Sequence, residues 1–231
     1  MKVVRTRRGI RIVQHGLVLS EIRTTPGPTD SLFDVLAATV AALAPGPDVA
    51  MLGFAGGGIV APLRAMGFGH PLEAVDLSLA HVPLFREHSG PWVGAVTVHE
   101  AEASRWLRGR RRSFDLILED LSAETTGDVT KPGVSLGVLP ALMKQRVGPK
   151  GVVVTNVLPV PGVTWRDLLT RLATPWRGRG ARRQVVHLED YENRVLLCGR
   201  LPTARATSAT LRRHLRALGS DQAEGLTVRT L

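Results

Sequence analysis

From residue 48 onward, short apolar runs alternate with amphipathic segments, and this alternation constrains the fold more than any other feature of the chain. Runs such as DLILED and GVVVTNV are continuously apolar, which is typical of parallel strands that helices cover on both faces. The predicted strands are 49–54, 72–76, 93–98, 114–119 and 151–156. The predicted helices are 57–67, 79–87, 101–110, 135–147 and 163–174. The pattern favours an α/β fold with a doubly wound, Rossmann-like and mostly parallel sheet.

The two ends of the chain carry shorter elements. IRIVQ (10–14) and LVLSEI (17–22) flank His15-Gly16, which predicts a short N-terminal β-hairpin with a tight turn. Near the other end, QVVHL and RVLLCGR are joined only by EDYEN, so these two strands should be antiparallel. We therefore expect a seven-stranded sheet with an antiparallel last strand. The expected parts are a hairpin appendage over 1–28, a Rossmann-like domain over 29–218 and a C-terminal tail over 219–231.

The chain of 231 residues is strongly basic, with a formal net charge of +10, and only four of its 30 basic residues are lysines. Arginines cluster at 108–112 (RGRRR) and 177–183 (RGRGARR). These clusters are either a solvated basic face or a site for an anionic partner; nucleic acid is not favoured, because few aromatic residues stand between the arginines. A lone Cys198, no signal-like N-terminus and no apolar run of 18 residues favour a cytoplasmic protein that does not cross a membrane.

MLGFAGGGIVAPLRAMG (51–67) places several glycines between a predicted strand and a predicted helix. Gly53, Gly56, Gly57 and Gly58 would let the backbone turn sharply and let a ligand approach the main chain closely. In parallel sheets, such a turn at the carboxyl edge is where ligands bind. The spacing matches neither the GxGxxG dinucleotide fingerprint nor the P-loop, so the class of ligand must be inferred from other residues.

Acidic residues follow three further strands at the same predicted edge. Asp76 ends the second strand, where a carboxylate either binds the vicinal hydroxyls of a ribose or caps the next helix. Glu100 or Glu102 follows the third strand, where a carboxylate could accept a hydrogen bond from an adenine amine or simply favour a first helical turn. Asp120 follows the fourth strand and should face the same ligand. Together with the glycine turn, these acids predict a nucleoside-bearing cofactor.

In this order, the segments resemble the S-adenosylmethionine-type fold as it occurs in the spermidine synthase (aminopropyltransferase) family. MLGFAGGG resembles the family's Gly-rich turn, AVDLS its V-E-I-D segment, EASRWL its D-G-R-x-F-L segment and FDLILEDLS its Y-D-V-I-I-x-D-S strand. KQRVGPKGVVVTN resembles the L-K-P-G-G segment, and GIRIVQHGLVLSE resembles a shortened form of the family's hairpin. The resemblance spans residues 9–200. The cofactor-binding residues that it implies are Gly53, Gly56, Gly57, Gly58, Asp76, Leu77, Glu102, Ala103 and Asp120.

The sequence departs from this family mainly where the family binds its amine substrate. The second Asp of the family's D-S-x-D loop, which helps to position and deprotonate the attacking amine, is Ala123 here. The family's hairpin Gln corresponds to Leu19, its Tyr-His pair to Phe33-Asp34, and the acidic residue of its Gly-rich turn to Gly56. The cofactor half of the site is therefore closer to the family's pattern than the amine half.

The resemblance implies a transferase that uses S-adenosylmethionine or its decarboxylated form, without a metal, and transfers an aminopropyl group to a polyamine. An attacking amine must be neutral, so a carboxylate should take its proton; Asp120 is the candidate catalytic residue, and Glu124 could replace the missing Asp. A cationic polyamine would suit this basic chain only in a locally acidic pocket, for which Asp120, Glu124 and Asp128 are the candidates.

Two alternatives stay open. One is a methyltransferase of the same fold that acts on a different, unknown acceptor, for which an anionic molecule is one candidate. The other is a nucleoside-binding protein that has lost turnover and uses its arginine clusters to bind nucleic acid or a protein partner. Because the spermidine synthase family often pairs subunits, a homodimer is also an open alternative to a monomer.

Overall fold

A computed structural model describes residues 2–125, 128–178 and 180–231, with only the backbone described for Thr125 and Asp128. The elements at the N-terminal end are β1 (Lys2–Thr6), β2 (Gly9–Gln14), β3 (Leu17–Arg23) and α1 (Leu32–Leu43). The central elements are β4 (Val49–Leu52), α2 (Val60–Ala65), β5 (Leu72–Asp76), α3 (Val82–His88), β6 (Val96–Glu100), α4 (Ala103–Arg108), β7 (Phe114–Glu119), β8 (Ala123–Thr125), β9 (Asp128–Thr130), α5 (Gly133–Leu136), α6 (Leu139–Arg146) and β10 (Val147–Val157). The elements at the C-terminal end are α7 (Trp165–Ala173), β11 (Arg182–Leu188), β12 (Arg194–Gly199), α8 (Ala204–Leu218) and β13 (Leu226–Thr230).

An eight-stranded mixed sheet forms the centre of the molecule, in the order β13-β11-β12-β10-β7-β4-β5-β6. The five strands from β10 to β6 are mutually parallel, which confirms the predicted α/β fold class. β12 is antiparallel to β11, as the short connection between these two strands required, and it is also antiparallel to β10. The sheet has one strand more than expected, because Leu226–Thr230, within the segment expected to be a tail, pairs with β11.

The central strands are buried on both faces, which explains their continuously apolar sequences. In β7, Leu116 and Leu118 pack into the cluster that contains residues of α1, whereas Phe114 and Ile117 pack into the cluster that contains Trp106 of α4. Full burial of each such side chain contributes about 1.5–3 kcal/mol. The two layers of helices therefore fix the strands, and with them the positions of the loops at the strand ends.

The helices differ from the predictions mainly at their ends. The segment predicted as one helix over 135–147 is divided into α5 and α6, because Gly137 leaves the helical conformation (φ −101°, ψ −95°). Glycine has a low helix propensity, which explains the break at Gly137. The spacing of apolar residues in the sequence did not predict this break. In the part of the chain that is described, no helix has the length and apolar character needed to cross a membrane.

The N-terminal segment forms a three-stranded antiparallel sheet, in which β1 adds a strand to the predicted hairpin of β2 and β3. Ile10, Ile12 and Ile22 are buried in the main core. A Cβ atom at Gly56 would lie 2.7 Å from the Cδ1 atom of Ile12 and 3.0 Å from that of Ile22. The small sheet therefore covers the glycine turn after β4.

Candidate functional site

A cavity of about 840 Å³ lies at the carboxyl edge of the parallel strands. Its volume falls within the range of about 300–1,000 Å³ that is typical of ligand pockets. The loops after β4, β5 and β7 and the end of β10 supply one side of it, β2 and β3 supply another, and the connection between β11 and β12 closes a third. These loops meet because parallel strands end at the same edge of a sheet.

Asp76, at the end of β5, is directed at the glycine turn. Its Oδ2 atom accepts hydrogen bonds from the backbone N–H groups of Phe54 and Ala55, both at 2.8 Å, and its Oδ1 atom accepts one from Ser78 at 3.2 Å. Ala55 has a left-handed backbone (φ +47°), which is uncommon for a residue with a side chain, and the bond to Asp76 stabilises it. Since a carboxylate has about four acceptor positions, Asp76 retains capacity toward the cavity that it lines.

The four glycines after β4 have different roles. Gly53 and Gly58 line the cavity, whereas Gly56 and Gly57 are not among the described residues that line it. Gly53 has a left-handed backbone (φ +89°), and a Cβ atom there would lie 2.4 Å from the carbonyl oxygen of Asp120. A Cβ atom at Gly57 would lie 2.7 Å from the ring of Phe54. Gly53 therefore permits two loops of the cavity to meet, and Gly56 and Gly57 permit close packing behind it.

Two leucines supply apolar surface to the cavity. Leu77 follows Asp76, is 71% exposed and lines the cavity. Leu121 follows Asp120 and lines the cavity as well. These side chains come from the loops after β5 and β7, which border the glycine turn after β4 on its two sides.

Glu102 and Ala103 are not among the described residues that line the cavity. Ala103 is buried in the core, and Glu102 caps α4 by accepting hydrogen bonds from the backbone N–H groups of Ser104 and Arg105 at 2.9 and 2.8 Å. Burial alone would raise the pKa of Glu102, but the bonds from Ser104 and Arg105 lower it below its ordinary value. In the structure, Glu102 therefore caps the first turn of α4, which is the second of the two roles considered for it from the sequence.

Asp120 is half-buried, lines the cavity and is held by amide side chains. Its Oδ1 atom accepts a hydrogen bond from Nδ2 of Asn156 at 2.7 Å, and Oδ1 of Asn156 accepts one from Nδ2 of Asn193 at 2.9 Å. Burial raises the pKa of Asp120, and the nearby charge of Asp76 raises it further, while Asn156 and the charge of Lys131 oppose this shift. Asp120 is therefore an oriented carboxylate whose pKa is moved toward the range useful for proton transfer.

A buried ion pair directly behind this carboxylate was missed in the sequence analysis. The ammonium of Lys131 lies 2.8 Å from Oε1 of Glu119, and both side chains are almost completely buried. Burial raises the pKa of Glu119, while Lys131 and Ser135 oppose this. The one signal for it in the sequence is that Lys131 is among only four lysines in a chain whose other basic residues are all arginines.

Several residues at the positions where the spermidine synthase family binds its amine substrate line the same cavity. Leu19 and Phe33 line the cavity, as do Ser122 and Glu124. Asp34 does not, since it is fully buried and accepts hydrogen bonds from the N–H and hydroxyl groups of Thr29. Ala123 is not among the described lining residues, and the side chain of Asp128 lies outside the described part of the chain.

The charge of the cavity is opposite to that of the chain. Seven carboxylates and one arginine are among its described lining residues, although the whole chain has 30 basic and 20 acidic residues. The arginine, Arg11, is paired with Glu21 at 2.6 Å. Within the described part of the chain, five of the lining carboxylates form no ion pair with a basic residue: Asp76, Asp120, Glu124, Asp190 and Glu192.

The first arginine cluster lies away from the cavity, at the amino edge of the parallel strands. Arg110 lies 2.9 Å from Glu73 and stacks on the ring of Trp106, with its guanidinium carbon 4.1 Å from the ring centroid. Arg112 pairs with Asp48 and Glu73. The positive charges of Arg110 and Arg112 are therefore neutralised by acidic residues of the same chain. Arg179 of the second cluster lies outside the described residues.

Solved structures that are similar to this fold include a human methyltransferase-like protein and two spermidine synthases. Human methyltransferase-like protein 13 in complex with SAH gives a TM-score of 0.59 at 19% identity, covering 80% of this chain and 90% of that one. A spermidine synthase in complex with the transition-state analogue AdoDATO gives 0.62 at 11% identity, covering 94% and 73%. The spermidine synthase from Thermotoga maritima gives 0.60 at 13% identity, covering 84% and 66%.

At these identities the similarity establishes the fold, which is Rossmann-like and of the methyltransferase type. No protein-family model and no curated protein sequence matches the chain. Among the described residues, no group of three or more His, Cys, Asp and Glu side chains could hold a metal ion.

Proposed function

We propose that the protein is a transferase that binds decarboxylated S-adenosylmethionine and transfers its aminopropyl group to a polyamine. The observation that carries the proposal is the acidic cavity in a chain of net charge +10. A cavity lined by carboxylates attracts a cationic acceptor and repels an anionic one, and low-dielectric walls strengthen this selection. The resemblance to spermidine synthases in the ordered motifs supports the same class of reaction.

The cavity has groups that fit an adenosyl ligand. Asp76 would accept a hydrogen bond from a ribose hydroxyl at the acceptor position that the N–H groups of Phe54, Ala55 and Ser78 leave free. Leu77 and Leu121 would contact the faces of the adenine. Gly53 has no side chain, so the ligand could lie directly against its backbone. Leu77 would thus bury its exposed apolar surface when the ligand binds, which contributes about 25 cal/mol for each Å² removed from water.

The charges also favour the decarboxylated form over S-adenosylmethionine itself. The carboxylate of S-adenosylmethionine would be repelled by the lining carboxylates, and Arg11, the one arginine in the described lining, already pairs with Glu21. The primary amine of the decarboxylated form would instead be stabilised by the carboxylates around it. The same carboxylates would bind the ammonium groups of a polyamine, with Asp190 and Glu192 exposed at the mouth and Asp120 further inside.

In the proposed reaction, the sulfonium group supplies a carbon that is attacked by the acceptor nitrogen, so that the C–N bond forms as the C–S electron pair passes to sulfur. The attacking nitrogen must first lose a proton. Asp120 would take this proton, since it is oriented by Asn156 and its pKa is raised by burial. Glu124, which is exposed in the same cavity, could pass the proton on to solvent. Holding nitrogen and carbon in line would supply several kcal/mol of the rate enhancement.

Calorimetry and product analysis test this proposal together. We expect decarboxylated S-adenosylmethionine and methylthioadenosine to bind more tightly than S-adenosylmethionine, and we expect putrescine to become aminopropylated. Asp76→Asn should weaken nucleoside binding, and Asp120→Asn should lower kcat about 10²–10⁴-fold without weakening nucleoside binding. Failure of all three nucleosides to bind would overturn the proposal.

Two other functions would give different results in the same assays. Tighter binding of S-adenosylmethionine, together with a methylated product, would favour a methyltransferase; the similarity to human methyltransferase-like protein 13 is compatible with that fold. Nucleoside binding without any product, together with salt-sensitive binding of nucleic acid, would favour an inactive binding protein, because phosphate contacts weaken steeply as salt rises.

A further inference from the structure

We propose that Lys131 is a positioning residue, which holds the Asp120 carboxylate in place from behind the cavity through Glu119, Leu121 and Asn156. This inference rests on the proposed function only in the role that it gives to Asp120. The geometry of the contacts is independent of that role.

Lys131 joins three parts of the chain at a single buried point. Its ammonium donates hydrogen bonds to Oε1 of Glu119 at 2.8 Å, to the carbonyl oxygen of Leu121 at 3.0 Å and to the carbonyl oxygen of Asn156 at 2.5 Å. An ammonium has three N–H donors, so all of them are used. The end of β7, the loop after it and the end of β10 are therefore tied together.

These bonds surround Asp120. The residues immediately before and after it in the chain, Glu119 and Leu121, are both bound by Lys131. The third partner, Asn156, donates from its side chain to the Asp120 carboxylate at 2.7 Å. The orientation of that carboxylate thus depends on two chain segments whose separation Lys131 fixes.

The buried ion pair of Lys131 and Glu119 is not well explained by a contribution to stability alone. A buried ion pair must overcome the desolvation of both charges, and apolar residues of similar volume are often equally or more stabilising. In addition, Oε2 of Glu119 is buried and has no hydrogen-bond partner among the described residues, although Oε1 accepts from Lys131 and Ser135. A pair with such a cost is better explained by what it does to the adjacent site.

Lys131 also balances the charges that face Asp120. Asp76 lines the same cavity as Asp120. Glu124, Asp190 and Glu192 also line it, and Arg11 is the one arginine among its described lining residues. The charge of Lys131 lowers the pKa of Asp120, whereas burial and the charge of Asp76 raise it. Its removal should shift the acid limb of the activity profile to higher pH.

The test uses the double variant Glu119→Gln/Lys131→Met, which removes both buried charges together, beside the single variant Lys131→Met. We expect the double variant to fold and to bind methylthioadenosine within about twofold of the wild type. Its kcat with putrescine should fall about tenfold or more, since small displacements of a reacting group are costly. In the single variant Lys131→Met, where the charge of Lys131 alone is removed, the acid limb should move to higher pH. Lys144→Met, which removes an exposed lysine of α6, is the matched control.

A second measurement separates this inference from the proposed function. The titration of the Asp120 carboxyl carbon by NMR needs no turnover, and it should give a higher pKa in Lys131→Met than in the wild type. If the wild type has no aminopropyl transfer activity, the proposed function fails and the titration alone decides the role of Lys131. An unchanged kcat in a folded double variant overturns the inference, as does an unchanged Asp120 titration in a folded Lys131→Met variant.

Discussion

At the amino edge of the parallel strands, charged side chains pair with one another, whereas at the carboxyl edge most carboxylates face a cavity without a basic partner. Glu73 and Asp48 are held by Arg110 and Arg112 at the amino edge. Asp76 and Asp120 at the carboxyl edge are held by uncharged amide donors instead. The same residue types thus stabilise the fold at one edge and stay available to a ligand at the other.

The net charge of the whole chain therefore gives a misleading picture of its binding site. Part of the positive charge is neutralised within the fold, because Arg110 and Arg112 pair with acidic residues near the starts of strands and stack on aromatic rings. The negative charge, in contrast, is concentrated where the loops meet. The local arrangement, and not the total charge, determines which partner the site attracts.

The largest expected effect is that of Asp120→Asn at the carboxyl edge. Asparagine keeps the shape of the side chain but cannot take a proton, so kcat with decarboxylated S-adenosylmethionine and putrescine should fall about 10²–10⁴-fold. Methylthioadenosine should bind as it does to the wild type. Asp115→Asn, the same change at the amino edge, should leave kcat unaltered. Equal losses in both variants would remove the functional distinction between the edges.

Asp76→Asn should affect binding. Hydrogen bonds to charged groups contribute about 1.5–3 kcal/mol, so the Kd for methylthioadenosine, measured by calorimetry, should rise about 10- to 100-fold. Glu100→Gln is the control, because Glu100 ends the adjacent strand but is exposed and is not among the described residues that line the cavity. A higher Kd in Glu100→Gln, or an unaltered Kd in Asp76→Asn, would contradict the role of Asp76 in nucleoside binding.

Glu73→Gln should lower stability and leave ligand binding intact. Glu73 is only 16% exposed and has two arginine partners, one of them half-exposed and screened by solvent, so the expected loss is about 1–2 kcal/mol in the free energy of unfolding. Thermal unfolding measured with and without methylthioadenosine would show this as a lower Tm at an unchanged Kd.

The pH dependence of that loss follows from the direction of the pKa shift. Burial alone would raise the pKa of Glu73, but Arg112, Arg110 and His99 lower it below the ordinary value of 4.5. Its stabilising effect is therefore complete above pH 4.5 and is lost as the pH falls through the lower pKa of the folded state. The difference in Tm between wild type and Glu73→Gln should disappear in that acidic range, and a difference that grew there would refute the ion-pair explanation.

The smallest effect is expected at the mouth of the cavity. Asp190→Asn/Glu192→Gln removes two exposed carboxylates that line it, and the KM for putrescine should rise about three- to tenfold with kcat preserved. Added salt should shrink the difference, since exposed charges are screened. Glu87→Gln, which removes an exposed carboxylate of α3, should alter neither parameter. A KM insensitive to the double change would mean that the mouth does not contact the acceptor.

Much of the fold could be predicted because its signals are local. The apolar runs of β4, β5, β7 and β10 identify strands that are buried on both faces, and the short connection between β11 and β12 requires them to be antiparallel. The strand β13 was missed, since LTVRT is short and resembles an ordinary tail until β11 supplies its hydrogen-bond partners. The break at Gly137 was missed for a similar reason, because its flanking residues continue a helical pattern.

The sequence by itself determined the order of the strands and helices and the presence of Asp76 and Asp120 at strand ends, because periodicity and turn residues act over a few positions. Only the tertiary structure decided that Gly56 packs beneath the hairpin, that Glu102 caps a helix, and that Lys131 lies behind Asp120. Those contacts join residues from different segments of the chain. Their distances depend on how the helices and the small sheet pack against the central one, and no local pattern encodes that packing.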